Sequence, residues 1–489
     1  MEQQITTLEP QELWHFFDKI CQIPHPSGKE EKIREYIVNY GKNLSLQTQI
    51  DEVGNILICK PATPGYEKAP ILLLQAHIDM VCEKNEETIH DFEKDPIKTY
   101  IDGDWVKAHG TTLGADNGIG VASMLAILGS NTIKHGKLKC IFTIDEERGL
   151  TGAQHVCADW LNADMLLNLD SEEDGRFCIG CAGGIETCAT FEVKRETPTD
   201  DLFFAEISIS GLKGGHSGDD INKGRANAIQ LLARFLWEQK QKYPLYIADI
   251  IGGNLHNAIP REAKCSIAIP YKFKEELRIQ LNIYTTIIEN EYPTEGKLAI
   301  ELSSENRLDS IINASDSEKI INTLFALPNG VIEMSREIEN LPETSTNLAS
   351  IKRITENSYK IATSQRSSTE SKKIELKNRM EALFIIGGAS SVTHSDGYPG
   401  WKPNLQSPIK EIVVQSFAEL FGYTPIVSAI HARLECGLFK AQSPNLDMIS
   451  IGPEINGNHS PNEQCSISSV KKYWQHLNDI LARIAEIKQ

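Results

Sequence analysis

Histidines and carboxylates recur in this chain where apolar runs end. ILLLQAHID closes on His77 and Asp79, CIFTIDEE on Glu146 and Glu147, and MLLNLDSEE carries Asp170. DMISIGPEI is followed within a few residues by His459, and Asp116 stands in TTLGADNGIG, just ahead of a run of small residues. Imidazole and carboxylate are the borderline and hard donors that divalent cations take. Two residues apart on an extended chain, His77 and Asp79 point to the same side. A carboxylate placed there can hold the imidazole in its metal-binding tautomer. Glu146 and Glu147 diverge if extended, so one could ligate a metal while the other reaches a water on it, the division of labour that metal-assisted hydrolysis needs. Each pattern alone also has an ordinary reading: HID as packing or surface, DEE as an acidic loop tip, GADNGIG as a glycine-rich helix entry. Their recurrence after several apolar runs is what favours a metal site.

The elements around these residues read as α/β. KIREYIVNYGKNL (32–44) has the apolar spacing of a helix, and NILIC (55–59) reads as a strand after the turn-like DEVG. Residues 71–79, 140–147 and 165–173 are apolar strands with polar tips, and GIGVASMLAILGS (118–130) is a small-residue helix. In an open α/β sheet, ligands gather outside the carboxyl ends of the strands, so four such tips converge on one crevice. From about Glu186 the texture changes. FFAEISISG (203–211) alternates as a half-buried strand, and the helices lengthen and become more polar, as in ANAIQLLARFLWEQKQ (226–241). The α/β character returns with DMISIGPEI (447–455) and a final helix over 469–487. The economical reading is one α/β domain built from residues 1–185 and 397–489, with an α+β domain inserted over 186–396.

Composition limits the function. Lys and Arg number 49 against 67 Asp and Glu, a formal charge of −18. A nucleic-acid binder needs clustered basic residues, and an anionic membrane surface attracts them, so both partners are disfavoured. No run approaches 18 apolar residues, and the polar N-terminus lacks a signal core. With eleven scattered cysteines, the expectation is a cytoplasmic protein whose cysteines are mostly thiols. Cys178 and Cys181 form one CxxC, read as packing residues because no second pair stands at zinc-knuckle spacing.

The stretches ILLLQAHIDMV, TTLGADNGIG, FTIDEE, LNLDSEEDG, GCAGG and ISIGPEINGNHSPNE together resemble the M20 metallopeptidases, and within them the aminoacyl-histidine (cytosolic non-specific) dipeptidase branch. IPHPSGKEEKI, GLKGGHSG, NAIPREA, PNGV and YPGWKPN belong to the same resemblance, which runs in order from about Leu13 to the final helix. It implies a two-zinc, exopeptidase-like α/β/α catalytic domain with an inserted α+β lid. The ligands it implies are His77, Asp116, Glu147, Asp170 and His459. Asp116 would bridge the ions, with His77 and Asp170 completing one site and Glu147 and His459 the other. A shared carboxylate reduces the repulsion between two close cations. The resemblance also implies a cis peptide after Asp116.

The implied activity is hydrolysis of Xaa-His and other unblocked dipeptides by a metal-bridging water. Glu146 would be the general base, with Asp79 orienting His77 and Glu463 doing similar supporting work. The lid would contribute His216 to the oxyanion, Asn257 to the substrate carbonyl, and Arg366 as a clamp on the C-terminal carboxylate. Glu435 would help bind the substrate amine. IHARLECGLF carries Arg433 where the family has glycine, which bears on selectivity. Cobalt or manganese would suit the same ligands. A homodimer through the lid is also implied. The alternatives are a related M20 tripeptidase or N-acyl amino-acid deacylase, and, in a different class, a non-catalytic peptide-binding scaffold.

Overall fold

A computed structural model describes residues 4–487. The chain forms two compact units. One runs to Cys181 and resumes over Trp401–Ala429 and from Leu434 onward, and the other comprises Ala182–Gly400 and Ile430–Arg433.

The first unit is built on an eight-stranded sheet. Its centre is four strands in parallel, in the order Leu138–Thr143, Leu72–His77, Met165–Asn168 and Asp447–Ser450. All six residues of Leu72–His77 are buried, which is why this strand reads as a continuous apolar run rather than an alternation. On one side Ile56–Lys60 and then Gln47–Ile50 extend the core as antiparallel neighbours, and on the other Arg176–Cys181 pairs antiparallel with Asp447–Ser450, with Ile426–Ile430 beyond it. Because the four central strands are parallel, their carboxyl ends share one edge, and the residues that follow them begin there. Helix Ala115–Gly129 is buried along most of its length. It approaches the Met165–Asn168 strand closely: a Cβ on Gly120 would stand 2.8 Å from the Leu169 carbonyl oxygen, so only glycine fits. The closing helix Ile467–Ala485 buries Val470, Tyr473, Trp474, Leu477, Ile480, Leu481 and Ile484, the spacing of one helical face.

The second unit carries a nine-stranded sheet. Leu202–Ser210, Ala263–Pro270, Tyr246–Gly252, Pro342–Thr355, Ser358–Ser367 and Gly183–Glu192 are consecutive antiparallel neighbours within it. Alternate residues such as Ala205, Ile207 and Ile209, or Cys265, Ile267 and Ile269, share a core with Leu232 and Phe235, Leu281 and Tyr284, Ile320 and Leu324, and Met380 and Phe384. These come from the helices Ala228–Lys240, Lys274–Glu291, Ala314–Ala326 and Glu370–Ile386. Residues 430–433 lie with this unit, a feature with no signature in the sequence pattern. They are held there by hydrogen bonds: the Ala182 N–H donates to the Ile430 and Ala432 carbonyls, and the buried His431 Nε2 meets Ser345 Oγ at 2.7 Å.

Among the described residues no helix is long and apolar enough to cross a membrane. Cys178 and Cys181 are both buried, and the Cys178 thiol donates to the Gly180 carbonyl.

Candidate metal centre

The parallel strand ends bring His77, Asp116, Glu147, Asp170 and His459 together. His77 Nε2 lies 3.1 Å from Asp116 Oδ1 and 3.2 Å from Asp170 Oδ1. His459 Nε2 lies 3.3 Å from Asp116 Oδ2 and 3.0 Å from Glu147 Oε2. The two oxygens of Asp116 therefore face two different histidines. Ligand atoms of His77, Asp116 and Asp170 lie within 4.8 Å of one another, as do those of Asp116, Glu147 and His459, and those of His77, Glu146 and Glu147. The first two groups share Asp116.

Each residue is held by its element. His77 is the last residue of its strand. Asp116 enters its helix with non-helical backbone, and the Asp116–Asn117 peptide is cis. The buried Glu463 carboxylate grips the segment in front of it, accepting the N–H groups of Leu113 (2.7 Å), Gly114 (3.0 Å), Ala115 (2.7 Å) and Asp116 (3.3 Å). Asn117 Nδ2 donates to Asp170 Oδ1 at 2.7 Å. His459 occupies a loop at φ 56°, a left-handed conformation uncommon for a non-glycine residue.

Glu146 and Glu147 begin a short helix, Glu146–Gly149, and are not extended. Asp79 organises that turn: its carboxylate accepts the N–H of Glu146 at 3.0 Å, the N–H of Glu147 at 3.2 Å and the Ser27 hydroxyl at 2.7 Å. It lies past the end of the His77 strand. His77 Nδ1 stands 3.1 Å from the Asp79 carbonyl oxygen and 3.5 Å from its carboxylate.

The electrostatics are those of a crowded anionic crevice. Burial would raise the Asp116 carboxyl, but hydrogen bonds from His459 and His77 hold it well below the carboxylate range. His459, hydrogen-bonded to Asp116 and Glu147, is raised to about 11. Burial works against a charged His77, yet Asp170, Asp116 and Asp79 carry it well above the usual histidine value. Asp170 is pushed up to about 6 by burial and, against the opposing His77, by the Asp116 and Glu147 charges. Burial also raises Glu146, with Asp170, Glu435 and Glu147 adding to it and His77 opposing. Among the described residues Glu147 Oε1 is buried without a hydrogen-bond partner. A carboxylate-rich cluster with two imidazoles and an orphaned buried oxygen suits divalent cations.

Three further groups near this cluster went unassigned in the sequence. Glu172, raised to about 9 by burial and by Asp116 and Asp170, accepts from Asn458 Nδ2 at 3.0 Å. Its place in the LDSEE tip was the available clue. Asn117 and Ser27 act only through tertiary hydrogen bonds. Glu435, expected at the substrate amine, is wholly buried: its Oε2 accepts from Gln75 Nε2 at 2.5 Å and Thr143 Oγ1 at 3.0 Å, and its Oε1 has no partner among the described residues. Burial first, then Asp170 against an opposing His77, raises it to about 8.

His216, Asn257 and Arg366 belong to the second unit. His216 pairs with Ala258 in a short two-stranded ribbon, and the Asn257 carbonyl accepts the Ser217 N–H at 2.8 Å. His216 Nδ1 lies 3.0 Å from Asp219 Oδ2. Burial would raise Asp219, but the His216 hydrogen bond and the charges of His216 and Arg366 keep it below its usual value. His431 is buried beside them and lowered to about 3, by desolvation first and then by Arg366.

This chain belongs to the peptidase family M20/M25/M40, whose sequence model matches residues 73–483. It is 44% identical over 483 residues to the cytosol non-specific dipeptidase of Escherichia coli (strain K12), covering 98% of this chain and 99% of that protein. Its fold matches the crystal structure of aminoacylhistidine dipeptidase from Vibrio alginolyticus with a TM-score of 0.92 at 43% identity, over 98% of each chain. A tripeptidase from Staphylococcus aureus shares the fold at 17% identity, with a TM-score of 0.56.

Proposed function

We propose that this chain is a metal-dependent dipeptidase acting on Xaa-His and other unblocked dipeptides. The observation that carries the reading is Asp116 presenting one oxygen to the His77–Asp170 group and the other to the Glu147–His459 group. Similarity along nearly the whole length to two proteins named dipeptidases supports the substrate class. His77, Asp116 and Asp170 would hold one zinc ion, and Asp116, Glu147 and His459 a second. When bound, such a pair lowers the pKa of water and polarises the scissile carbonyl.

Glu146 takes a proton from the attacking water and returns it to the leaving amine. Asp79 fixes the backbone of Glu146 and Glu147 so that both carboxylates face the crevice. His216 stabilises the developing oxyanion, Asn257 binds the substrate carbonyl, and Arg366 takes the C-terminal carboxylate. Glu435 is carried as a group near the substrate amine, and its burial with hydrogen bonds from Gln75 and Thr143 favours a supporting part in holding that end of the crevice. On the same resemblance we place the protein in the cytoplasm as a homodimer through the second unit, which light scattering on the purified protein checks.

The test is a substrate panel on the metal-loaded protein. Unblocked dipeptides, β-alanyl-histidine included, should turn over, and tripeptides and N-acetyl amino acids should be poor substrates. Turnover confined to acetylated amino acids would make it a deacylase. No turnover of any member, with no metal retained after mild purification, would make it a binding scaffold.

A further inference from the structure

Arg366 sits on strand Ser358–Ser367 directly opposite Gly184 of strand Gly183–Glu192. At its other edge, Gly184 pairs with Tyr398. The Tyr398 N–H donates to the Gly184 carbonyl at 2.8 Å, and the Gly184 N–H donates to the Tyr398 carbonyl at 3.1 Å. A Cβ on Gly184 would stand 2.5 Å from Cζ and Oη of the Tyr398 ring. The missing side chain is thus the slot that admits the ring to strand Gly183–Glu192. The tyrosine hydroxyl reaches the next strand, where Arg366 Nη1 donates to it at 2.9 Å. Lys373 Nζ donates to the Tyr398 carbonyl at 2.6 Å and pins that backbone.

Arg366 is itself 5% exposed, and its Nε has no hydrogen-bond partner among the described residues. A buried guanidinium with an open donor is costly unless an anion completes it. Its value for a carboxylate depends on the orientation of its planar fork. A neutral hydroxyl on one Nη restrains that orientation without neutralising the charge, which a carboxylate partner would do.

We propose that Tyr398 is a positioning residue for substrate recognition. Through Nη1 it aims the Arg366 guanidinium at the terminal carboxylate of the dipeptide, and Gly184 is glycine so that the ring can reach it. The inference rests on the reading that Arg366 receives that carboxylate.

The experiment compares an unblocked dipeptide with its C-terminal amide on the metal-loaded enzyme and on Tyr398→Phe and Arg366→Met. Tyr398→Phe keeps the ring and removes only the hydroxyl. It should raise KM for the free acid about tenfold with little change in kcat, and leave the amide nearly unaffected, as expected for weakening one charge-assisted contact. Melting temperature and metal content should match the parent, and Tyr398→Trp should not restore KM. Equal losses on acid and amide, or an unchanged KM for the acid, would overturn the positioning role. If Arg366→Met loses the preference for the acid while Tyr398→Phe keeps it, the clamp stands and this inference falls. If Arg366→Met keeps the preference, the clamp reading falls first and takes the inference with it.

Discussion

At the scale of single residues, a few carboxylates have distinct duties set by what they touch. Asp116 pairs with two histidines, whereas among the described residues Glu146 forms no ion pair with a histidine, although a His77 ligand atom lies within 4.8 Å of it. Glu146→Ala should keep its metal, read by elemental analysis, while kcat falls about 10³-fold, the scale of a lost general base. Asp116→Ala should lose the metal itself, since both donor groups depend on that residue. Among the described residues Glu463 makes no hydrogen bond or ion pair to a proposed ligand side chain, but its carboxylate gathers four consecutive N–H groups of the Asp116 segment. Glu463→Ala leaves those donors unmet and lets Asp116 drift. Metal affinity, titrated against a competing chelator, should drop by about 10- to 100-fold, as for other groups that orient ligands from behind.

At the scale of elements, the closing helix Ile467–Ala485 and helix Pro408–Phe421 are joined by a buried histidine. His476 Nε2 donates to the Val413 carbonyl at 2.9 Å, and its ring stacks on Phe177 with centroids 5.3 Å apart. Desolvation lowers its pKa to about 4. Protonation is then resisted in the folded state and free in the unfolded one. The unfolded chain binds more protons between about pH 6.5 and 4, so this contribution is intact above that window and is lost as pH falls through it. Urea unfolding at pH 4.5 and pH 7 should show about 2–3 kcal/mol of stability lost to this group. His476→Phe should flatten that part of the slope, at some cost in stability at neutral pH from the lost hydrogen bond.

At the scale of the whole molecule, the proposed ligands all lie in one compact unit, while the other has its own extensive core. Saturating metal should therefore stabilise the first unit selectively. At a hundredfold excess over Kd the gain is about 2.7 kcal/mol. Calorimetry with and without chelator should show the transition of the first unit moving and that of the second nearly still. Equal shifts in both would mean that the two units unfold as one.

Much of the centre is legible along the chain because it is built from strand ends. A buried parallel strand must be apolar, and its sequence turns polar where it leaves the sheet, so His77, Glu146, Glu147 and Asp170 announce themselves. The helix after Asp116 and the amphipathic closing helix follow from local spacing in the same way. Contacts between residues far apart in the chain leave no such trace. Asp79 could be paired with His77 from spacing, but its hydrogen bonds to Glu146 and Glu147 span 67 and 68 positions. The four-donor grip of Glu463 spans about 350. Burial of Glu435, transfer of Ile430–Arg433 to the second unit and the Tyr398 ring beside Gly184 are likewise decided only when the strands assemble. Sequence alone determined which residue types stand at the strand ends, since periodicity is a local property of the chain. Which of them meet, and which oxygen faces which nitrogen, was decided by the order and direction of strands in the sheet, which depends on packing between distant segments.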